Sequence, residues 1–218
     1  MKKNILFLVL LAFSVTAIFL NFNTPENSRS SDFRHMSFTG LFQEDSYQVD
    51  AEASEVKWTG RKLTGNHTGT VKIKSGNLNV DGDKLEGGMF IIDMTSMENE
   101  DIEDPDSRAK LMGHLRSEDF FGTATHPEAK LVITNVTYEE ETEQYRVTGD
   151  LTIKGKTNSI TFPAGLSNNG NTVTASADIT FDRTKWDVRY GSGSIFKSLG
   201  DKAIYDDVDI SVRLVARQ

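Results

Sequence analysis

Apolar and polar residues alternate with a period of two along much of this chain, and this alternation restricts the fold more than any other feature. It is clearest near the C-terminus, where Val208, Ile210 and Val212 are separated by charged or hydroxyl side chains. The same alternation recurs over residues 145–153 and 173–181. Successive side chains of a β-strand point to opposite faces, so each segment predicts a strand with one buried and one solvated face. Strands of this kind are typical of an antiparallel sheet.

Several further segments fit a strand pattern, which brings the number of predicted strands to about eight. They span residues 56–63, 67–80, 84–93, 130–137, 144–154, 158–164, 172–182 and 207–216. Most connections between them are short, which favours an up-and-down sheet, and closing that sheet into a barrel leaves no exposed edge. We therefore predict an all-β fold, an eight-stranded antiparallel barrel. Eight strands enclose space for one small ligand or for a packed core. The periodicity leaves both alternatives open.

Two of the predicted strands depart from simple alternation. Val71 and Leu78 lie on the same predicted strand but have opposite parity, which predicts a bulge or bend at Ser75 and Gly76. The run over residues 85–93 is apolar on both parities. We expect that strand to be covered on both faces, on the outside by a helix.

One segment, residues 104–116, is typical of a helix and not of a strand. Asp104 is a favourable N-cap, and Pro105 suits the first helical position, where its missing N–H is not needed. The apolar stripe of this helix consists of Leu111, Met112 and Leu115, and His114 lies beside it. Two adjacent aromatic residues, Phe120 and Phe121, follow the helix. A single short α-helix that ends in an aromatic pair predicts a plug or lid on the β structure.

The first twenty residues have the pattern of an export signal. Lys2 and Lys3 precede an apolar run over residues 5–20, and residues 15–17 offer small side chains for cleavage. We expect residues 1–20 to be a signal peptide or, if uncleaved, an N-terminal anchor, although the run is shorter than the ~20 residues that span a bilayer. Residues 21–45 are polar and predict a linker, and residues 46–217 form the barrel domain. The predicted location is the periplasm or the exterior, or the membrane surface if the anchor is retained, with no span in the mature protein once the signal is cut.

Composition and motifs exclude several classes of function. The net charge of −8 argues against a nucleic-acid surface and against electrostatic docking on anionic lipid. The chain has no cysteine, so disulfides and thiolate metal sites are excluded, and its four histidines show no metal-ligand spacing. The S-x-x-K match at residues 194–197 lacks the partner motifs of the enzymes that use it. We expect no enzyme activity, no cofactor and no metal.

The helical segment and its flanks together resemble a known family. The stretch HLRSEDFF over residues 114–121, followed by Pro127, resembles the hallmark of the YceI-like family. Three further stretches agree with that family: YQVD at 47–50, VTGDLTIKGKT at 147–157 and FDRTKWDVRYG at 181–191. The resemblance covers nearly all of residues 47–216. It implies a secreted bacterial protein with a lipocalin-like barrel whose partner is a polyisoprenoid or isoprenoid-quinone type of lipid. The alternative is a ligandless, solid-cored barrel that acts as a secreted interaction or stress-response protein. A homodimer is compatible with either.

The large apolar residues are the best candidates for a lipid site, although most of them would serve equally as core. The resemblance favours a pocket whose wall or lid contains Trp58, Phe90, Leu111, Leu115, Phe120, Phe121, Ile133, Leu151, Phe181 and Trp186.

Two polar residues complete the predicted site. Arg183 continues the inward parity of Phe181, and a buried guanidinium needs a partner. That partner is either a nearby carboxylate, Asp206 or Asp207, or the polar head group of a lipid. His114 is either a hydrogen-bonded helix residue near the barrel mouth or a ligand contact.

Overall fold

A computed structural model describes residues 45–218, and the predicted signal and linker over residues 1–44 lie outside the described residues. The described part of the chain contains nine strands and one α-helix. In chain order they are β1 (Asp45–Val49), β2 (Glu55–Lys62), β3 (Gly65–Asp81), β4 (Lys84–Asn99), α1 (Pro105–Arg116), β5 (Glu128–Glu139), β6 (Gln144–Ile153), β7 (Lys156–Asn168), β8 (Thr172–Asp182) and β9 (Ile204–Arg217).

Strands β2 to β9 close into the barrel that the sequence predicts. They follow the order β3-β2-β9-β8-β7-β6-β5-β4, each pair is antiparallel, and β4 pairs again with β3. Because the barrel is closed, each of these eight strands pairs with a neighbour on both sides. The predicted eight-stranded antiparallel barrel with one short helix is confirmed.

Strand β1 is an addition that the alternation does not predict. It pairs with the end of β3, where Asp45 lies opposite Val80, and with the end of β9, where Val49 lies opposite Ala216. Strand β1 therefore lies between β3 and β9, as β2 does further along the barrel. Only Tyr47 of its five residues is buried, and the hydroxyl of Tyr47 donates to the carbonyl of Gly170 at 2.8 Å. Five residues with one buried side chain are too few to show a period.

The irregularities predicted for β3 and β4 have different outcomes. The register between these strands shifts between Ile73 and Ser75, which confirms the predicted bulge. The expectation that β4 is covered on both faces is wrong. Phe90 is buried while its neighbour Met89 is 39% exposed, so the outer face of the strand meets solvent. The helix reaches β4 at its far end, where Arg116 Nη2 donates to the carbonyl of Met97 at 2.7 Å.

Helix α1 begins and ends where its sequence signals predict. Asp104 has an extended backbone, and its carboxylate accepts from the Ser107 N–H at 2.8 Å, as an N-cap should. The hydrogen bonds from Ser107 hold the pKa of Asp104 below its usual value. At the other end, Ser117 Oγ donates to the carbonyl of His114. Gly122, with φ of +57°, then turns the chain back toward β5.

The two ends of the barrel differ. At one end, which we term the closed end, short hairpins join the strands, and Tyr145 donates its hydroxyl proton to the Asp83 carbonyl at 2.9 Å. The other end, which we term the open end, carries α1, the β2–β3 turn and residues 183–203, the connection from β8 to β9. No helix of the described residues is long and apolar enough to cross a bilayer.

Candidate functional site

A cavity of about 300 Å³ lies inside the barrel and is lined by the inward side chains of β2 to β9 and by α1 and its aromatic tail. This volume is at the lower limit of the roughly 300–1,000 Å³ that small-molecule sites occupy. Inward residues such as Val208, Ile210 and Val212 keep part of their surface accessible because they face this space and not other side chains. The sequence left open whether the barrel interior is a packed core or a cavity, and the structure has a cavity.

Most of the predicted site residues line the cavity. They are Trp58, Phe90, Leu111, His114, Leu115, Phe120, Phe121, Ile133, Leu151, Phe181 and Arg183.

The predicted site residue that the structure places elsewhere is Trp186. A short 3₁₀ helix begins at Arg183, capped by the side chain of Asp182, and ends the period-two alternation of β8. Trp186 is fully buried behind the wall, its indole N–H donates to the Leu151 carbonyl at 2.8 Å, and its ring meets that of Phe181 edge-on at 5.1 Å. Trp186 therefore supports two residues of the lining without being part of it.

Small inward residues create much of the space and were not among the predicted site residues. Ala164 on β7 and Ala175 and Ala177 on β8 occupy positions where a Leu or Phe would fill the interior. The period-two pattern identifies these positions as inward, and their small size is the signal that a search for large apolar residues overlooks. Removing side-chain volume at several facing positions leaves a void that the rigid barrel cannot collapse to fill.

Polar residues of the lining concentrate at the open end. Arg61 and Lys62, at the end of β2, and Tyr205, at the start of β9, are exposed there. Arg61 forms an ion pair with Asp209, an outward residue of β9. This distribution gives the cavity an apolar depth and a polar entrance.

His67 belongs to a small hydrogen-bonded network beside the entrance. Its Nδ1 lies 2.8 Å from Oδ2 of Asp101, whose other oxygen accepts from the Thr68 N–H at 2.7 Å and from the Asn99 amide at 2.6 Å. Burial raises the pKa of Asp101, but these hydrogen bonds outweigh burial and the pKa is lowered overall. The network ties the start of β3 to the loop that leads into α1.

Arg183 is buried to 2% exposure and is satisfied by protein groups. Its three nitrogens donate to the carbonyls of Tyr205 at 3.2 Å, Val188 at 2.6 Å and Ile204 at 3.3 Å, and Nη2 lies 3.5 Å from Oδ1 of Asp206. Burial lowers the pKa of Arg183, and the carboxylates of Asp206 and Asp182 oppose this effect. The sequence predicted either a nearby carboxylate or a lipid head group as the partner of Arg183, and in the structure the carboxylate of Asp206 lies beside it. The guanidinium fastens the β8–β9 connection to the barrel.

His114 lies in a cluster of three rings at the open end. Its imidazole meets Phe120 edge-on at 4.9 Å and Tyr190 edge-on at 4.3 Å, and Phe120 and Tyr190 are 5.6 Å apart. The cluster joins α1, its aromatic tail and the β8–β9 connection over one side of the entrance. The helix and its aromatic tail therefore lie at the position that a lid would occupy, and the lid itself stays a prediction.

The chemistry of the site is that of an apolar binding cavity. Within residues 45–218 no group of three or more His, Asp or Glu side chains is placed to hold a metal ion. Three of the titratable groups that line the cavity, Arg61, His67 and Arg183, are engaged with protein partners. The interior has apolar surface against which an apolar chain can be buried, and the entrance has polar side chains in contact with solvent.

Comparisons with known proteins agree with this description. A YceI-like domain model matches residues 47–216. Curated relatives align over a shorter stretch: a UPF0312 protein of Photorhabdus laumondii is 47% identical over 57 residues, 26% of this chain and 29% of the relative. Protein YceI of Escherichia coli O157:H7 is 40% identical over 58 residues, 27% of this chain and 29% of the relative. The aligned stretch thus spans less than a third of the length of these curated relatives.

Solved structures share the fold. BcnA of Burkholderia cenocepacia has a TM-score of 0.62 and 27% identity, over 77% of this chain and 99% of the other. A polyisoprenoid binding domain from Saccharophagus degradans, implicated in plant cell wall breakdown, has a TM-score of 0.56 and 15% identity, over 78% of this chain and 97% of the other.

Proposed function

This chain belongs to the YceI-like family, and on that basis we propose that it is a non-enzymatic carrier that holds a long apolar lipid, of the polyisoprenoid or isoprenoid-quinone type, inside its barrel. The observation that carries the proposal is the apolar cavity that opens at one end of a closed barrel. The lipid is supported further by the solved neighbour that is described as a polyisoprenoid binding domain.

The energetics of the cavity suit a ligand without a strong polar anchor. Each CH₂ group transferred from water to an apolar site stabilises binding by about 0.8 kcal/mol, so a few isoprene units suffice for tight retention. Most polar lining residues lie at the entrance. The lipid would therefore enter tail first and leave its head group near Arg61, Lys62 and Tyr205.

The alternative function, a ligandless interaction or stress-response barrel with a solid core, is less well supported. A solid core would place large side chains at the inward positions of β7 and β8, where this chain has alanines.

Native mass spectrometry before and after solvent extraction tests the proposal directly. We expect the protein purified from its own host to carry a lipid whose mass is a multiple of isoprene units plus a head group. Extraction should empty the cavity, and incubation with a polyprenyl lipid should refill it. A protein that is empty as isolated and takes up no polyprenyl lipid would contradict the function.

We also propose that the protein acts outside the cytoplasm, exported by residues 1–20. The support is the sequence pattern of two lysines before an apolar run. Cell fractionation should recover the protein from the periplasm or medium if the segment is cut, and from the membrane fraction if it is retained. Full-length protein in the cytosol would refute export.

A further inference from the structure

Large apolar side chains that are exposed to solvent are distributed unevenly over the described barrel. They are Leu63, Met89, Tyr138, Tyr190, Ile195, Phe196 and Tyr205. All but Met89 and Tyr138 lie at the open end. We term the set at the open end the apolar rim; it consists of Leu63, Tyr190, Ile195, Phe196 and Tyr205.

Structural contacts hold the rim around the entrance to the cavity. Leu63 follows Lys62, which pairs with Ile204 across the β2–β9 ladder, so Leu63 lies next to the start of β9. Tyr205, the next residue of β9, is 49% exposed and also lines the cavity. The rim is therefore continuous with the cavity wall.

The part of the rim on the β8–β9 connection is fastened to the same strand. Ser192 forms a β-bridge with Ile204, and the Phe196 N–H donates to the Ser192 carbonyl at 2.9 Å. Ser194 Oγ donates to Oδ2 of Asp206 at 2.5 Å. Ile195 and Phe196 are thus presented to solvent by an anchored segment, at 41% and 49% exposure.

Single exposed apolar residues are ordinary, but a group of five at the opening of an apolar cavity indicates an interaction surface. Tyrosine and phenylalanine suit the membrane interface, where one part of the side chain meets lipid and the other meets water. Basic residues Arg189, Lys197 and Lys202 flank the rim, against the acidic Asp187 and Asp201. The entire chain carries a net charge of −8, so apolar contact, and not attraction to anionic lipid, must supply the binding.

We propose that the apolar rim docks on the surface of a lipid bilayer, so that the cavity opens toward the membrane when lipid enters or leaves. The inference rests on the proposed function, because a lipid cargo gives the bilayer as the source or destination. An isoprenoid chain could then pass from bilayer to barrel along Leu63 and Tyr205 without crossing open water, the step that would otherwise cost the most free energy.

The absence of cysteine from the chain allows a site-specific test. In the full-length protein, Phe196→Cys and Tyr138→Cys are each labelled with an environment-sensitive fluorophore and mixed with phosphatidylcholine vesicles that carry a quencher in the acyl chains. Tyr138 is the matched control, because it is 51% exposed and lies near the closed end. Any contribution of residues 1–44 to membrane binding is common to both proteins.

We expect a blue shift and quenching at position 196 and neither at position 138. An equal response at both positions, or no response at position 196, would overturn the docking surface. The latter result is also what a rim that binds a protein partner would give.

A transfer assay separates this inference from the proposed function. The double variant Ile195→Ser/Phe196→Ser should deliver its lipid to phosphatidylcholine vesicles at least about tenfold more slowly, since two large apolar contacts are lost. Tyr138→Ser should transfer at the normal rate. Lipid occupancy, measured by native mass spectrometry, should be equal in all three proteins. Normal occupancy with an unchanged transfer rate in the double variant refutes docking alone, whereas proteins that never carry lipid refute the function.

Discussion

Arg183 shows how a single buried charge can organise the entrance of an otherwise apolar barrel. A guanidinium has donors in a fixed fork, and here that fork joins three carbonyls from the β8–β9 connection and the start of β9. Its Cζ also lies 5.6 Å from the centroid of the Phe120 ring, a cation–π distance. One side chain thus couples the β8–β9 connection to the helical lid. Its inward direction could be predicted from parity, but its carbonyl partners could not, because they belong to a loop without periodicity.

Replacement of Arg183 by methionine should therefore destabilise the fold. The substitution retains much of the side-chain volume but leaves the carbonyls without their donors and removes the positive charge beside Asp206 Oδ1, and we expect a loss of about 3 kcal/mol. The free energy of unfolding in urea measures it. Arg189→Met is the control, because Arg189 pairs with Asp187 in solvent and its loss should cost less than about 1 kcal/mol. Equal losses in the two variants would show that the carbonyl contacts of Arg183 contribute little.

Asp101 should make the stability of the open end depend on pH. Its pKa in the folded protein is lowered, so the unfolded chain binds the proton more readily, and stability rises with pH through this range. The contribution is complete above the unfolded pKa of about 3.9 and is lost as the pH falls through the lower folded value. The stability difference between wild type and Asp101→Asn should thus be larger at pH 7 than at about pH 3. Urea titrations at both values test this, with the exposed Asp201→Asn as control; a pH-independent difference would contradict it.

At the level of elements, alternation predicts strands well and their exceptions poorly. β9 and β8 could be predicted because long runs keep one parity, and α1 could be predicted because its cap and proline are local signals. β1 is too short to show a period, and the exposure of Met89 depends on how far α1 extends over β4. Similarly, Trp186 follows an inward strand but leaves the wall because Asp182 caps a 3₁₀ turn.

Gly69 on β3 provides a test of strand packing. A Cβ at this position would overlap the Glu98 carbonyl oxygen on β4 and approach Cζ2 of the Trp58 ring to 2.6 Å. Gly69→Ala should therefore lower the free energy of unfolding by about 1–3 kcal/mol, the usual effect of forcing atoms into a packed site. Gly87→Ala on β4 is the control, because nothing lies within 4 Å of its added Cβ. Chemical denaturation of the two variants should separate them, and equal stability would mean that the β4 backbone at Glu98 and the Trp58 ring can both shift without cost.

The whole barrel combines a rigid wall with an interior that is underfilled. Hydrogen-bonded closure fixes the radius, so the volume left by small inward residues persists as a cavity. Periodicity assigns each side chain to the inner or outer face, so the sequence predicts the barrel. It does not predict whether the interior is filled, because the volume of the cavity depends on the summed volume of the inward side chains of all eight strands. The inward alanines of β7 and β8 carry that information.

Filling the cavity should consequently weaken lipid binding without destabilising the fold. Ala177→Phe places a ring in existing space on the inner face of β8, so the variant should be as stable as the wild type or more so, because the ring buries apolar surface without displacing neighbours. Lipid occupancy in native mass spectrometry should fall several-fold, since the ring takes volume from the isoprenoid chain. Thr174→Phe adds the same ring to the exposed face of the same strand and should leave occupancy unchanged. A folded Ala177→Phe protein that retains its full lipid content would place the lipid outside the barrel.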